Sequence, residues 1–267
     1  MPTFAWAIYG FITGLCFGSF TNVIVYRIPK GFSVYKKPSE CPACGEKLKP
    51  YDLIPLFSWL LLQGRCRFCK APVSLRYPVV EFTCGLLFAG MVFFTPSLSA
   101  IPLSFFAFVL LAVSLVDAEI REIPDGLVLA GTVAGTAWIG ASFIVPDVSP
   151  GSELLPFVPG WQNALIGAAV GAVPLLVIDR ICLWLLKKDG FGYGDMKLMA
   201  MIGIFLGWEL VLVTFLFAFV SAGIFAAGLM IAGRAERGSY MAFGPFLCFA
   251  GLVSLWFGRD FITLMFP

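Results

Sequence analysis

Histidine does not occur in this 267-residue chain. Its absence excludes every Ser-His-Asp and Cys-His nucleophile arrangement and leaves carboxylates as the main acid–base groups. Charge is scarce too: Asp, Glu, Lys and Arg make up 13% of residues against 60% hydrophobic, with mean hydropathy +0.93. Average globular domains are about 25% charged. A soluble domain is therefore excluded, and a polytopic membrane protein is the class that fits. The net charge of +2 makes no case for nucleic acid; the basic residues serve topology and anionic lipid headgroups. No basic n-region or small-residue cleavage site accompanies the first apolar run, so a retained helix is expected there and not a removed signal peptide.

What is present is a series of long apolar runs. A spanning helix needs roughly 20 apolar residues, and segments near 4–26, 78–95, 101–117, 126–145, 161–186, 196–207, 209–232 and 241–258 meet or approach that. The expected fold is an all-α polytopic membrane protein of about eight transmembrane helices, with seven as the alternative. The stretch 196–232 reads either as a short and a full helix around Gly207-Trp208-Glu209 or as a broken helix with a re-entrant half. Ten basic residues lie between Arg27 and Arg76, and only Arg259 falls on the opposite face if eight spans alternate. The positive-inside rule then puts the N-terminus outside and the 27–77 loop in the cytoplasm. The expected division is a first transmembrane helix over 1–26, a cytoplasmic loop over 27–77 and a transmembrane core over 78–267.

That loop holds two CxxC pairs, Cys41-Pro-Ala-Cys44 and Cys66-Arg-Phe-Cys69. Two such knuckles present four thiolates to a tetrahedral zinc ion and brace a loop too small for its own core. Disulfides are disfavoured in a reducing compartment. Without histidine the site is four cysteines with no open position, which makes the zinc structural. Cys16, Cys84, Cys182 and Cys248 stand singly in apolar runs and read as small buried hydrophobes.

Two acids stand at membrane boundaries. Asp117 ends the run 101–116, and Asp195 follows alternating glycines in Gly190-Phe-Gly-Tyr-Gly-Asp-Met-Lys197. A carboxylate at membrane depth is costly and points to function. Two carboxyl groups sharing a site do not both ionise easily, so one keeps its proton while the other activates water. The helix dipole disfavours negative charge at the C-terminal Asp117 and favours it at the N-terminal Asp195, which makes Asp117 the expected acid and Asp195 the base. An N-terminal aspartate is also commonly a helix cap. Asp125, after Ile123-Pro124, reads as a cap, with a catalytic role as the lesser alternative, and Glu119 and Glu122 read as solvated charges. Asp179-Arg180 reads as local charge compensation near the interface, with a supporting role in the site as the lesser alternative.

The residues in combination resemble the type IV prepilin peptidases, bifunctional leader peptidases and N-methyltransferases of pilus and type II secretion systems. The resemblance rests on the run 14–29, the two CxxC pairs, Asp52-Leu-Ile-Pro-Leu-Phe-Ser-Trp59, Ser74-Leu-Arg-Tyr-Pro-Val-Val-Glu81, the stretch 117–125 and the GxGD-containing 190–197. It implies an aspartyl protease of the bacterial inner membrane that cuts a prepilin or pseudopilin leader after glycine at the cytoplasmic face, with Asp117 and Asp195 catalytic. It further implies methylation of the new N-terminal residue with S-adenosylmethionine, associated with the cysteine loop. The chain has no glycine-rich nucleotide turn after a strand. Candidate methyl-donor residues are Asn22, Asp52, Arg76, Tyr77 and Glu81, for which orienting and capping the loop is the equal alternative. A basic leader would find acidic partners in Glu119, Glu122 or Asp189. Three other readings stand beside this one: a GxGD protease without methyl transfer, an ion-coupled transporter using Asp117, Asp179 and Asp195, and a structural zinc-bearing assembly factor.

Overall fold

The computed structural model describes residues 2–36, 38–95, 97–144, 160–187, 190–233 and 241–265. Asp189 and the basic residues Lys37, Lys188, Arg234 and Arg237, which entered the leader and charge arguments, lie outside them. The described residues are helical apart from loops and two isolated antiparallel bridges. Among the described residues, six helices are long and apolar enough to cross a membrane. The chain divides into two compact units, 1–96 and 97–267.

In the first unit, helix α1 (Pro2–Arg27) packs along α3 (Arg76–Phe94), with the cysteine loop and the short helix α2 (Phe57–Leu61) between them in sequence. The seam is built from glycine. Gly10 faces Phe88 and Val92, Gly14 faces Cys84 and Gly85, and Gly18 faces Glu81. As α1 advances its partner residue falls, so the helices are antiparallel and both ends of the loop emerge on one side. A Cβ on Gly14 would lie 2.6 Å from the Cys84 carbonyl oxygen. Small residues spaced by four allow this approach where water supplies no hydrophobic driving force.

The second unit contains α4 (Ala100–Ile120), α5 (Asp125–Ser142), α6 (Trp161–Leu186), α7 (Tyr193–Ile231) and α8 (Gly244–Met265). Helix α4 is central and packs on α5 and α8, while α7 packs on α5, α6 and α8. Phe106 of α4 stacks on Phe205 of α7 at 4.4 Å, and Phe205 on Trp138 of α5 at 5.9 Å, tying three helices together. A second small-residue seam joins α6 to α7: Asn163 meets Gly207, Gly167 meets Gly203, and Gly171 meets Met199. These helices are antiparallel over that stretch.

Of the eight segments expected, α5 falls outside the six that meet the length and apolarity of a span, and the two segments expected over 196–232 fall in a single helical run, Tyr193–Ile231. That run is broken at Gly207, whose φ of 75° and ψ of 171° are non-helical, a conformation essentially restricted to glycine. The amide freed by the break is satisfied: Trp208 N–H donates to Asn163 Oδ1 at 3.2 Å. A Cβ on residue 207 would sit 2.9 Å from that same oxygen. Gly207→Ala is therefore expected to destabilise the protein by about 1–3 kcal/mol, read as a lowered unfolding midpoint in detergent.

Candidate active site

The last turn of α4 carries Asp117, only 4% exposed. Helix α4 stops there because Arg121 turns left-handed at φ 59° and its N–H donates to the Asp117 carbonyl oxygen at 2.8 Å. Pro124 then sets the start of α5. The first turn of α7 carries Asp195, whose Oδ2 accepts the Gly192 N–H at 3.3 Å. This is the reach of an acid at the third helical position back to the cap amide. Asp195 therefore does stabilise its helix end.

The two carboxylates interact electrostatically with each other and with Cys248 of α8. The glycines account for the close approach. A Cβ on Gly194 would lie 2.9 Å from Ile123 Cβ, and one on Gly244 would lie 2.5 Å from Asp117 Oδ2 and 3.3 Å from Ile123 Cδ1. The Gly244 backbone thus lies directly against the Asp117 carboxyl group. Asp117 Oδ2 is buried and has no hydrogen-bond partner among the described residues. Buried polar atoms are seldom left so, and an oxygen in that state is available to a reacting group.

Asp125 does not cap α5 as expected. Pro124 occupies the cap position with no side-chain bond, and Asp125 receives Lys197 Nζ at 2.8 and 2.9 Å, joining the start of α5 to the first turn of α7. Both partners are exposed, so the pair contributes under about 1 kcal/mol of stability. The compensation expected for Asp179-Arg180 also takes another form. Asp179 accepts the N–H groups of Gly190 and Phe191, and Arg180 donates to the Tyr193 hydroxyl.

In the first unit the four cysteine sulfurs all lie within 4.8 Å of one another. Cys41 and Cys69 Sγ are 3.9 Å apart, close to the ~3.8 Å edge of a tetrahedron with Zn–S of about 2.3 Å. The knuckles are two copies of one structure. Cys41 N–H donates to Glu46 O and Cys66 N–H to Ala71 O; Gly45 and Lys70 N–H return to the Cys41 and Cys66 carbonyls. Glu40 bridges Lys47 as Arg65 bridges Pro72. Gly45 and Lys70 both adopt positive φ, at 73° and 60°. Amides of Cys69 and Phe68 draw the Cys66 thiol down to about 7. The Glu46 amide pulls Cys44 down, yet desolvation and the Cys69 and Cys41 sulfurs carry it up to about 12. Thiols this crowded do not all ionise without a cation among them, and the donor set fits zinc.

Beside the knuckles lies a cavity of about 440 Å³, lined by Asn22, Arg27, Asp52, Trp59, Tyr77 and Glu81 among others. Its wall is cross-braced. Asn22 Nδ2 donates to Tyr77 O at 3.1 Å, Glu81 Oε2 accepts Leu56 N–H at 2.8 Å, and Asp52 Oδ1 accepts Arg67 at 2.7 Å. Arg27 donates to the carbonyls of Ser33, Val34 and Pro38, holding the first turn of the loop against the end of α1.

Residues 12–95 match the Bacterial Peptidase A24 N-terminal domain, and residues 104–227 match the Type IV leader peptidase family. The first match spans the cysteine loop and the second spans both acids. The chain belongs to the type IV leader peptidase family. The prepilin leader peptidase/N-methyltransferase of Stutzerimonas stutzeri is 33% identical over 283 residues, covering 97% of this chain and 93% of its own. The enzyme of the same name from Pseudomonas aeruginosa is 33% identical, covering 94% of this chain and 90% of its own. That from Myxococcus xanthus is 34% identical, covering 86% and 65%. No solved structure is a significant match.

Set in this peptidase family, the structure brings Asp117 and Asp195 into one neighbourhood, gathers Cys41, Cys44, Cys66 and Cys69, and lines one cavity with Asn22, Asp52, Tyr77 and Glu81. Arg76 is not among the cavity's lining residues, and its amide donates to Ser74 Oγ. Sequence reasoning missed Gly244, Ile123, Arg27 and Trp59. The Gly244-Pro245 step is a local signal for a helix start, but nothing local ties it to Asp117. Arg27 and Trp59 lie within the runs 14–29 and 52–59, but neither run by itself points to these side chains as lining a cavity.

Proposed function

We propose that this protein is an inner-membrane prepilin peptidase and N-methyltransferase whose peptide hydrolysis is carried by Asp117 and Asp195. The observation that carries the reading is the convergence of a buried, unpartnered Asp117 oxygen and the GxGD aspartate across three elements, α4, α7 and the start of α8. The N-terminus lies outside and the loop 27–77 in the cytoplasm, a reading supported by the loop's basic residues. With α5 and the two halves of α7 counted separately, eight segments are embedded. The core 78–267 contains the peptidase, and 27–77 serves methyl transfer.

In the mechanism Asp195 begins ionised and Asp117 protonated. Asp195 takes a proton from water as the oxygen attacks the carbonyl carbon of the residue before the scissile bond, the leader's final glycine. Asp117 gives its proton to the carbonyl oxygen as the tetrahedral intermediate forms. The C–N bond then breaks, the amine leaves with the proton held by Asp195, and the intermediate's hydroxyl proton returns to Asp117. The Gly192 amide stabilises the Asp195 anion, and the N-terminal helix dipole acts in the same sense. Coupled carboxyl groups share macroscopic titrations, so a site-resolved protonation measurement finding Asp195 neutral and Asp117 charged would reverse the assignment.

The 440 Å³ cavity is the proposed methyl-donor site. Its size suits a drug-sized ligand, and acids, arginines and aromatics on one wall match the cationic, carboxylate and adenine parts of S-adenosylmethionine, which supplies the transferable methyl group when bound. Glu81 and Asp52 would face the cationic part, Arg27 the carboxylate, and Trp59 or Tyr77 the adenine. Cys41, Cys44, Cys66 and Cys69 would hold zinc as a brace for this wall. Purified protein is expected to cleave a prepilin in detergent and then transfer a labelled methyl group to the new N-terminus; cleavage without any methyl transfer would favour the protease-only reading. Glu119 and Glu122 remain proposed partners for a basic leader. Reversing both charges should raise KM for such substrates several-fold, and unchanged processing would remove them from recognition.

A further inference from the structure

The glycine run before Asp195 is not held by its own residues alone. Asp179, in the last turns of α6, is 5% exposed, and its Oδ1 accepts two successive amides, Gly190 N–H at 3.0 Å and Phe191 N–H at 3.4 Å. One residue on, Arg180 Nη2 donates to the Tyr193 hydroxyl at 2.8 Å. Gly190 lies so close to α6 that a Cβ there would meet Cys182 at 3.1 Å and Asp179 Cα at 3.3 Å. The α6–α7 seam through Gly167 and Gly203 sets the register that brings residue 179 to residue 190. Burying a carboxylate is costly unless its oxygens find donors, and two successive amides of one run converge on Asp179 Oδ1 here.

We propose that Asp179 is a positioning residue for the peptidase reaction: by fixing the first two amides of the glycine run, it sets where α7 begins and therefore where the Asp195 carboxylate is presented to Asp117. Arg180 and Tyr193 hold the same run at its other end. Asp179 touches no reacting atom and acts through Asp195. The proposal rests on the assignment of Asp195 as catalytic.

The full-length protein is tested with Asp179→Ala, Asp179→Asn and Asp195→Asn, reading kcat and KM for prepilin cleavage and, separately, methyl transfer to a pre-cleaved pilin peptide. Misplacing a reacting group by about 1 Å costs on the order of 10²-fold in rate. Asp179→Ala is therefore expected to lower kcat between about 10- and 100-fold with KM within about twofold. Asp179→Asn keeps an acceptor oxygen for both amides and should restore most of kcat. Methyl transfer should be unaltered in both, and amide exchange at residues 190–195 should quicken in Asp179→Ala alone. Wild-type kcat in Asp179→Ala would overturn the proposal, as would equal losses in cleavage and methyl transfer, which mark general unfolding. Cleavage surviving in Asp195→Asn would instead defeat the catalytic assignment itself.

Discussion

Asp117→Asn and Asp195→Asn are each expected to lower prepilin cleavage by at least about 10³-fold while leaving methyl transfer to a pre-cleaved peptide intact. The size follows from the roles. Each asparagine keeps the shape of the side chain but can neither take a proton from water nor give one to the carbonyl oxygen. Groups that act as one unit lose nearly everything when either is removed, so the double variant should be barely worse than each single one. The two lesions should differ in stability. Asp195 also caps α7 through the Gly192 amide, and loss of its charge at a helix N-terminus costs about 0.3–1 kcal/mol. Asp117, the protonated partner, sits at a C-terminal turn with a buried oxygen that has no partner among the described residues, so asparagine there removes no charge and should leave stability unchanged or slightly raised. Additive losses in the double variant would show that the acids do not work together.

The second large effect concerns the cysteines. Removing the metal with a chelator, or replacing Cys66 by serine, should unfold the cysteine loop and reduce methyl transfer at least tenfold, with a far smaller effect on cleavage. Structural zinc contributes about 10–16 kcal/mol in small four-ligand domains. Apart from the hydrogen bonds along the cavity wall, the loop has slight apolar packing of its own: Tyr35, Leu61 and Phe57 are exposed, and the buried residues of the knuckles are Cys41 and Cys66 themselves. Metal analysis should find one zinc per chain in the wild type and a sharp loss in Cys66→Ser. Limited proteolysis should then cut within the loop. A stripped protein that resists protease and still methylates would show that the cysteines serve another purpose.

The acids and the knuckles were legible for opposite reasons. The CxxC pairs are local motifs whose spacing states their geometry, and the structure closes them into one cluster. Asp117 and Asp195 were visible because carboxylates at the ends of apolar runs are rare. Asp125 misled because a residue after proline at a helix start has a local role to hand, whereas its partner Lys197 lies 72 residues away. Asp179 was ambiguous for the same reason: beside Arg180 it has an obvious neighbour in sequence, and its partners are amides of the run that leads into the next helix.

The sequence by itself determined the membrane class, the four-cysteine set, the scarcity of acid–base groups other than carboxylates, and the positions of the rare acids. Each of these depends on composition or on short-range spacing, which a linear chain displays directly. Only the tertiary structure decided that Gly244 closes over Asp117, that Gly207 breaks α7 against Asn163, that Asp179 holds the glycine run, and that four polar residues share one cavity. Those contacts depend on the register of antiparallel helices, and register is fixed by where side chains are absent. Glycines spaced by four on α1, α6 and α7 let backbones touch at one alignment and no other, a constraint that appears only when two helices are laid together.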